Sequence, residues 1–373
     1  MNHRKCRGCS AVFAVTCLDN LLAAKITHLE ILRQSLVLLE HGSARDKACA
    51  EQVHRRMNFA ALGSVGPDVF YFYHVLSRKR NQLGLHWGNL SHHSRVFDLM
   101  IGFLQRVKDM PEGIRREKCY AFAMGYISHC AVDIVTHPYI FYITGDYYSI
   151  DLKQAVRAQE NHLRVEFQLD AYLVHHRWGL EPSRYNFAQY VDIHEETPDG
   201  PAMDYDLWSM WVDALAMVYR DEFENTYFGS EARILPGDIL NEAYVGFMKF
   251  NRILDTRSRP VRALLTAIDF ATFHTIKARY LLLPPPDQIN PRLLNEERKE
   301  WKYPGDPQVT SKESFMDLVH RAAKFAADAM ADADAFITGS KKLRDLAEKY
   351  DGYNLDTGLR SESIAMHEFD PID

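Results

Sequence analysis

Apolar residues recur at helical spacing along most of this chain. In the first such stretch, residues 21–40, leucines and isoleucines lie three or four positions apart, which places them on one face of a helix. The same spacing predicts further helices over 94–107, 120–137, 154–175, 205–223, 238–254, 262–281 and 315–336. Alternating runs of β-branched residues, which would predict strands, are nearly absent. The pattern therefore predicts an all-α protein.

The boundaries of these helices carry some recognisable signals. Thr310-Ser311-Lys312-Glu313 has the spacing of a capping box and is predicted to begin the helix at 315–336. Gly63-Ser64-Val65-Gly66-Pro67-Asp68 has turn chemistry and predicts a break. His137 precedes a proline, which predicts that the helix at 120–137 ends there.

The helix predicted at 120–137 is apolar on nearly all sides, yet it carries His129, Asp133 and His137 at intervals of four residues. That interval stacks the three side chains on one face. An ionised carboxylate inside an apolar helix is unfavourable unless it is paired or coordinated. The pattern thus favours a metal site, with a buried Asp hydrogen-bonded to a core His as the alternative.

A second helix repeats the arrangement with His162, Glu166 and Asp170. Two such helices side by side could direct six histidine and carboxylate groups into one small volume, enough for more than one ion. Imidazole and carboxylate ligands suit zinc, and iron or manganese are also compatible. A di-iron carboxylate bundle needs two Glu-x-x-His motifs, and the chain offers one clear case, at Glu51 and His54, where a solvated helix face explains it well.

Composition restricts the class of protein. The chain has 373 residues, 47% hydrophobic and 25% charged, and a formal net charge of −6, which gives no electrostatic basis for binding duplex nucleic acid. We expect a tail at 1–20, one helical domain at 21–340, and a loose charged tail at 341–373. Within the domain, residues 21–180 would form the metal-binding core and 181–340 additional helices.

The amino terminus gives only a weak targeting signal. A basic segment precedes a short apolar run that Asp19 and Asn20 interrupt, so we expect no cleaved signal peptide. No run of eighteen apolar residues occurs. A cytoplasmic location is favoured over a secreted one, and the oligomeric state is left open.

Several motifs, in order, resemble the bacterial zinc-dependent phospholipase C family, whose all-α fold is shared in outline with the P1-type nucleases and with glycosylphosphatidylinositol phospholipase D. The resemblance covers roughly residues 20–180. It rests on Thr27-His28-Leu29-Glu30-Ile31, on the break that ends at Asp68, on His86-Trp87, on the segment from Gly125 to Pro138, and on His162-x-x-x-Glu166-x-x-x-Asp170.

This resemblance implies roles for individual residues. His86, His129 and Asp133 would hold one zinc ion, and His137, His162 and Glu166 a second. His86 is chosen over His92 and His93 because an aromatic residue follows it, as in the family. His28 would serve a third ion, which the secreted members complete with a processed amino terminus; the residues before His28 leave this open. Asp68 would be the general base, and Asp170 would orient a ligand.

The resemblance also implies an activity. A phospholipase C cleaves glycerophospholipids to diacylglycerol and a phosphorylated head group by metal-activated water, and its substrate would bring the protein to a membrane surface. An aromatic wall could form there from Tyr139, Phe141, Tyr142, Tyr147 and Tyr148, although packing is the favoured explanation for these residues. Val69 follows the base, so a choline preference is not implied. The alternatives are a P1-type single-strand nuclease and a non-catalytic metal-binding protein.

Overall fold

The computed structural model describes most of the chain. The predicted tail at 1–20, with its weak targeting signal, lies outside the described residues, as does the end of the helix predicted at 262–281. The described residues are 25–75, 77–180, 185–198, 200–227, 229–230, 232–253, 259–271, 282–361, 363 and 365–372.

Helices form most of the described chain, which confirms the predicted all-α class. The α-helices are α1 (Lys25–Glu40), α2 (Ala44–His54), α3 (Met57–Gly63), α4 (Arg78–His93), α5 (Val96–Asp109), α6 (Ile114–Thr144), α7 (Leu152–Tyr172), α8 (Tyr205–Val218), α9 (Arg220–Thr226), α10 (Ile239–Ile253), α11 (Arg259–Ala271), α12 (Phe315–Ile337) and α13 (Leu343–Tyr350). The break after α3 becomes a 3-10 helix, Gly66–Phe72, and α7 runs into a π-helical turn, Leu173–Arg177.

Strands in the described residues form two small antiparallel pairs. β1 (His194–Thr197) pairs with β2 (Gly200–Met203), and β3 (Trp301–Tyr303) pairs with β4 (Asp306–Ser311). The second pair contains Thr310 and Ser311, which were predicted to cap a helix. The capping box of α12 is instead formed by Ser314 and Asp317, because the chain leaves the strand before it turns into the helix.

The centre of the fold is α6, a 31-residue helix that packs against α1, α3 and α12. Two glycines set its contact with α3. A Cβ atom at Gly63 would collide with the carbonyl oxygen of Phe122, and one at Gly125 would collide with the carbonyl oxygen of Ala60. The two helices therefore touch main chain to main chain.

Helix α6 continues past Pro138 to Thr144, whereas the sequence predicted an end before the proline. Proline lacks an N–H and removes a single hydrogen bond from the helical ladder. The residues that follow, Tyr139, Ile140 and Phe141, are buried in the core, so packing keeps the chain helical through the proline.

The segment after Lys341 is packed against the helices, although we expected a loose tail. Leu346 and Leu355 are buried, and Asp370 and Ile372 donate backbone hydrogen bonds to the carbonyl oxygens of Tyr142 and Ile143. Apolar residues among the charged ones supply the burial that a free tail would lack. Of the helices described, none combines the length and apolar character that crossing a membrane requires.

Candidate metal centre

Helix α6 carries the central side chains of a buried histidine and carboxylate cluster. Asp133 is 1% exposed, and its two oxygens face different imidazoles. Oδ2 lies 3.1 Å from Nε2 of His129, while Oδ1 lies 3.4 Å from Nε2 of His28 and 3.6 Å from Nε2 of His137. Asp133 therefore lies between three histidines, in a position to bridge ions.

His28 reaches this cluster from the first turn of α1. Its ring stacks on that of His129, with centroids 4.8 Å apart. Asp170 accepts hydrogen bonds from the backbone N–H groups of Ile26 and Thr27 and from the Thr27 hydroxyl. These are the otherwise unpaired donors at a helix start. Asp170 thus contacts the helix that carries His28, and its predicted role in orienting a ligand stays a prediction.

The structure does not bring His86 to the cluster; His92 lies there instead. Nε2 of His92 is 3.0 Å from Oδ1 of Asp68, and its ring centroid is 5.3 Å from that of His129. His86 is 40% exposed and pairs with Glu222 on the surface. Both histidines lie on α4, six residues apart, so their side chains point about 120° apart around the helix axis.

A second group lies on α7, next to His137. Nε2 of His162 is 3.3 Å from Oε1 of Glu166, and Nε2 of His137 is 4.0 Å from the same oxygen. The structure therefore brings together all the predicted metal ligands except His86. Three sets can each converge on one ion: His28 with His129 and Asp133, Asp68 with His92 and His129, and His137 with His162 and Glu166.

Backbone carbonyls fix the tautomers of three of these histidines. The Nδ1 atoms of His92, His129 and His137 lie 2.7, 3.3 and 3.1 Å from the carbonyl oxygens of Gly88, Ser64 and Leu355. Since a carbonyl oxygen can only accept, Nδ1 carries the hydrogen, and in a neutral ring Nε2 keeps its lone pair. Outer hydrogen bonds of this kind accompany metal-bound histidines.

The donor set passes a test of fit to a cation. Several buried atoms of the cluster, some of them close to one another, make no hydrogen bond of acceptable geometry with the described residues: His28 Nδ1, Asp68 Oδ2, His129 Nε2, both Asp133 oxygens and His162 Nδ1. Such atoms are unfavourable unless something satisfies them. Two ligands about 2.0–2.1 Å from a tetrahedral zinc ion lie about 3.3 Å apart, which resembles the separations around Asp133 and Glu166.

Burial and charge set the protonation of the cluster. Burial lowers the pKa of His28 to about 4, which leaves a neutral ring suited to coordination. Burial also lowers the pKa of His129, but the charges of Asp133 and Asp68 outweigh it and raise that pKa to about 9. Burial alone would raise the pKa of Asp133, yet the neighbouring imidazoles hold it well below its usual range. A cation bound here would replace the His129 proton.

A further set of groups lies beside His137, and no pattern in the sequence indicated it. Asp356, which is 5% exposed, lies 3.1 Å from Nε2 of His93 through Oδ2 and accepts a 2.6 Å hydrogen bond from the Tyr148 hydroxyl. Burial raises the pKa of Asp356, but contact with His93 outweighs it and lowers that pKa to about 2. The carboxylate therefore stays ionised at the edge of the cluster.

Only part of the predicted aromatic wall lies at this site. The rings of Phe141 and Tyr147 have centroids 4.8 and 5.4 Å from that of His162. Tyr139 and Tyr142 lie elsewhere, against Trp301 of β3. His137 and His162 are more exposed than the other ligands, and this side of the cluster is here called its mouth. Of the predicted wall, Phe141, Tyr147 and Tyr148 lie there.

Comparison with known proteins supports the metal centre that the geometry indicates. A profile of the family described as zinc dependent phospholipase C matches residues 27–227, more than half of the chain. No curated protein and no solved structure matches the chain. The matched region contains every histidine and carboxylate of the three converging sets, which agrees with zinc as the cofactor. The chain belongs to the zinc-dependent phospholipase C family.

Proposed function

We propose that this protein is a phospholipase C that hydrolyses the phosphodiester of a glycerophospholipid to diacylglycerol and a phosphorylated head group. The observation that carries the proposal is the convergence of three ligand sets around the buried Asp133. One zinc ion would be held by His92 and His129, which converge with Asp68, together with the Asp133 oxygen that faces His129. A second would be held by His137, His162 and Glu166. His28 faces the other oxygen of Asp133 and would serve a third ion.

Asp68 would act as the general base. Its Oδ1 lies 3.0 Å from Nε2 of His92, so both atoms face the same place for an ion, while its buried Oδ2 has no partner among the described residues and is available to accept a proton. Bound zinc would supply Lewis-acid chemistry, lowering the pKa of water and offsetting charge on the phosphate. As the water oxygen bonds to phosphorus, its proton passes to Asp68. The bond from phosphorus to the diacylglycerol oxygen breaks, and that oxygen takes up a proton from solvent water and leaves as the alcohol.

Phe141, Tyr147 and Tyr148 would bound the place where the head group lies. Their faces could attract a cationic head group, and a choline or ethanolamine group meets that requirement. The substrate lies in a bilayer, so the protein would act at the membrane surface. The negative net charge counts against a nuclease, which would need a basic groove.

The experiment compares zinc-loaded protein on phosphatidylcholine vesicles, phosphatidylethanolamine vesicles and single-stranded DNA. We expect diacylglycerol and a phosphorylated head group from one of the vesicle substrates, and loss of this turnover in Asp68→Asn. Asp109→Asn is the control, because this carboxylate is exposed at the end of α5, a helix that carries none of the ligands. Full zinc occupancy without turnover of a phospholipid would refute the proposal, and cleavage of DNA alone would favour the nuclease.

A further inference from the structure

The loop at residues 354–358 is held in a single shape by its own hydrogen bonds. The side-chain oxygen of Asn354 accepts from the backbone N–H groups of Asp356 and Thr357, and the N–H of Gly358 donates to the Asn354 carbonyl. The side chains of Leu355 and Thr357, within the loop, are buried. The loop therefore presents its remaining polar groups in fixed directions.

Gly358 seats this loop on the helix that carries the metal ligands. It has a φ of +65°, and a Cβ atom there would collide with the carbonyl oxygen of Ile134 and the ring of Pro138. Because Pro138 has no N–H, the Ile134 carbonyl loses its usual helical partner, and the backbone of Gly358 lies against that carbonyl. This contact fixes the loop beside His137.

The seated loop contacts the metal cluster at two points. The Leu355 carbonyl accepts the hydrogen bond from Nδ1 of His137, which leaves Nε2 directed toward Asp133 and Glu166. Asp356 joins His93 on α4 to Tyr148 at the mouth, and its Oδ1 lies 3.7 Å from Nδ1 of His137. One short loop thus contacts His137 on α6, His93 on α4 and Tyr148.

We propose that loop 354–358, which lies beyond the matched region at 27–227, is a positioning element of the metal centre, with Asp356 as its positioning residue. The loop holds His137 in the orientation in which it binds zinc, and Asp356 holds His93 and Tyr148 around it. The inference rests on the zinc assignment proposed above. Removal of outer partners of this kind reduces metal affinity by about 10- to 100-fold.

The first test compares Gly358→Ala with Gly352→Ala in the full-length protein. Gly352 also has a positive φ, of +81°, but a Cβ there meets nothing within 4 Å, so the control carries the same backbone strain without displacing the loop. We expect Gly358→Ala to bind its weakest zinc ion about 10- to 100-fold less tightly in competition with a chelator. Gly352→Ala should bind zinc like the wild type.

The second test compares Asp356→Asn with Asp351→Asn, an exposed carboxylate in the same segment. We expect Asp356→Asn alone to lower zinc affinity and to change the absorption bands of Co²⁺ substituted at the centre, while the melting temperature of the metal-free protein matches the control. If Gly358→Ala does not fold, the result for Asp356→Asn alone decides whether the loop positions the metal centre. Wild-type affinity and spectrum in Asp356→Asn overturn the inference, whereas a wild-type protein that binds no zinc overturns the proposed function itself.

Discussion

Replacement of His92 should disrupt zinc binding, whereas replacement of His86, on the same helix, should not. Structural zinc sites with four ligands bind with about 10–16 kcal/mol, so one ligand contributes about 2.5–4 kcal/mol, or roughly 100- to 1,000-fold in Kd. His92 is buried with Nε2 facing Asp68. His86 is 40% exposed beside Glu222, and such surface pairs contribute about 0–1 kcal/mol to stability. We therefore expect His86→Ala to keep the zinc affinity of the wild type.

The assay is competition between the protein and a chromogenic chelator, run on wild type, His86→Ala and His92→Ala. His92→Asn separates loss of a ligand from loss of packing, because its amide nitrogen can still donate to the Gly88 carbonyl as Nδ1 does. We expect both His92 variants to release zinc at chelator concentrations that leave His86→Ala loaded. Equal zinc loss from His86→Ala, or wild-type affinity in both His92 variants, would refute the assignment.

Three further predictions follow from the site and the core. Asp68→Asn should keep its zinc, measured by elemental analysis, while turnover falls about 100- to 10,000-fold; unchanged turnover would exclude Asp68 as the base. Chelation of zinc should lower the melting temperature, and added zinc should restore it, because an ion at 100 times its Kd stabilises by about 2.7 kcal/mol; an unaltered melting temperature would contradict a buried centre. Burial raises the pKa of Asp238 to about 6. Between pH 4 and 6 the native state therefore binds more protons than the unfolded chain. The free energy of unfolding should fall by up to about 3 kcal/mol as pH rises through that window. Asp238→Asn should remove this component, seen as the difference from wild type in denaturant unfolding; parallel profiles would contradict it.

The helical ligand pairs could be predicted from the sequence because helix geometry is local. His129 and Asp133 are four residues apart, as are His162 and Glu166, and any regular helix brings such pairs onto one face. The choice between His86 and His92 depends on tertiary packing and not on local helix geometry. Both lie on α4, and only the way that α4 packs against the 3-10 helix Gly66–Phe72 decides which of its faces meets the cluster.

The contact between the carboxyl-terminal segment and the metal centre could not be predicted from any local sequence pattern. Leu355 follows its partner His137 by 218 residues, and nothing in the charged sequence around it indicates a contact with a metal helix. The same is true of Pro138, which reads as a helix end in isolation. In the folded chain, Pro138 is instead the place where Gly358 is seated.

The close contact between α3 and α6 bears on how this protein could acquire a new substrate preference. Gly63 and Gly125 hold the Ser64 carbonyl against Nδ1 of His129 by main-chain contact. Selection for a different head group could therefore alter the aromatic residues at the mouth without disturbing that alignment. Any side chain larger than hydrogen at either glycine would separate the two helices. Evolution of a new substrate preference is therefore restricted more at these two glycines than at the aromatic residues of the mouth.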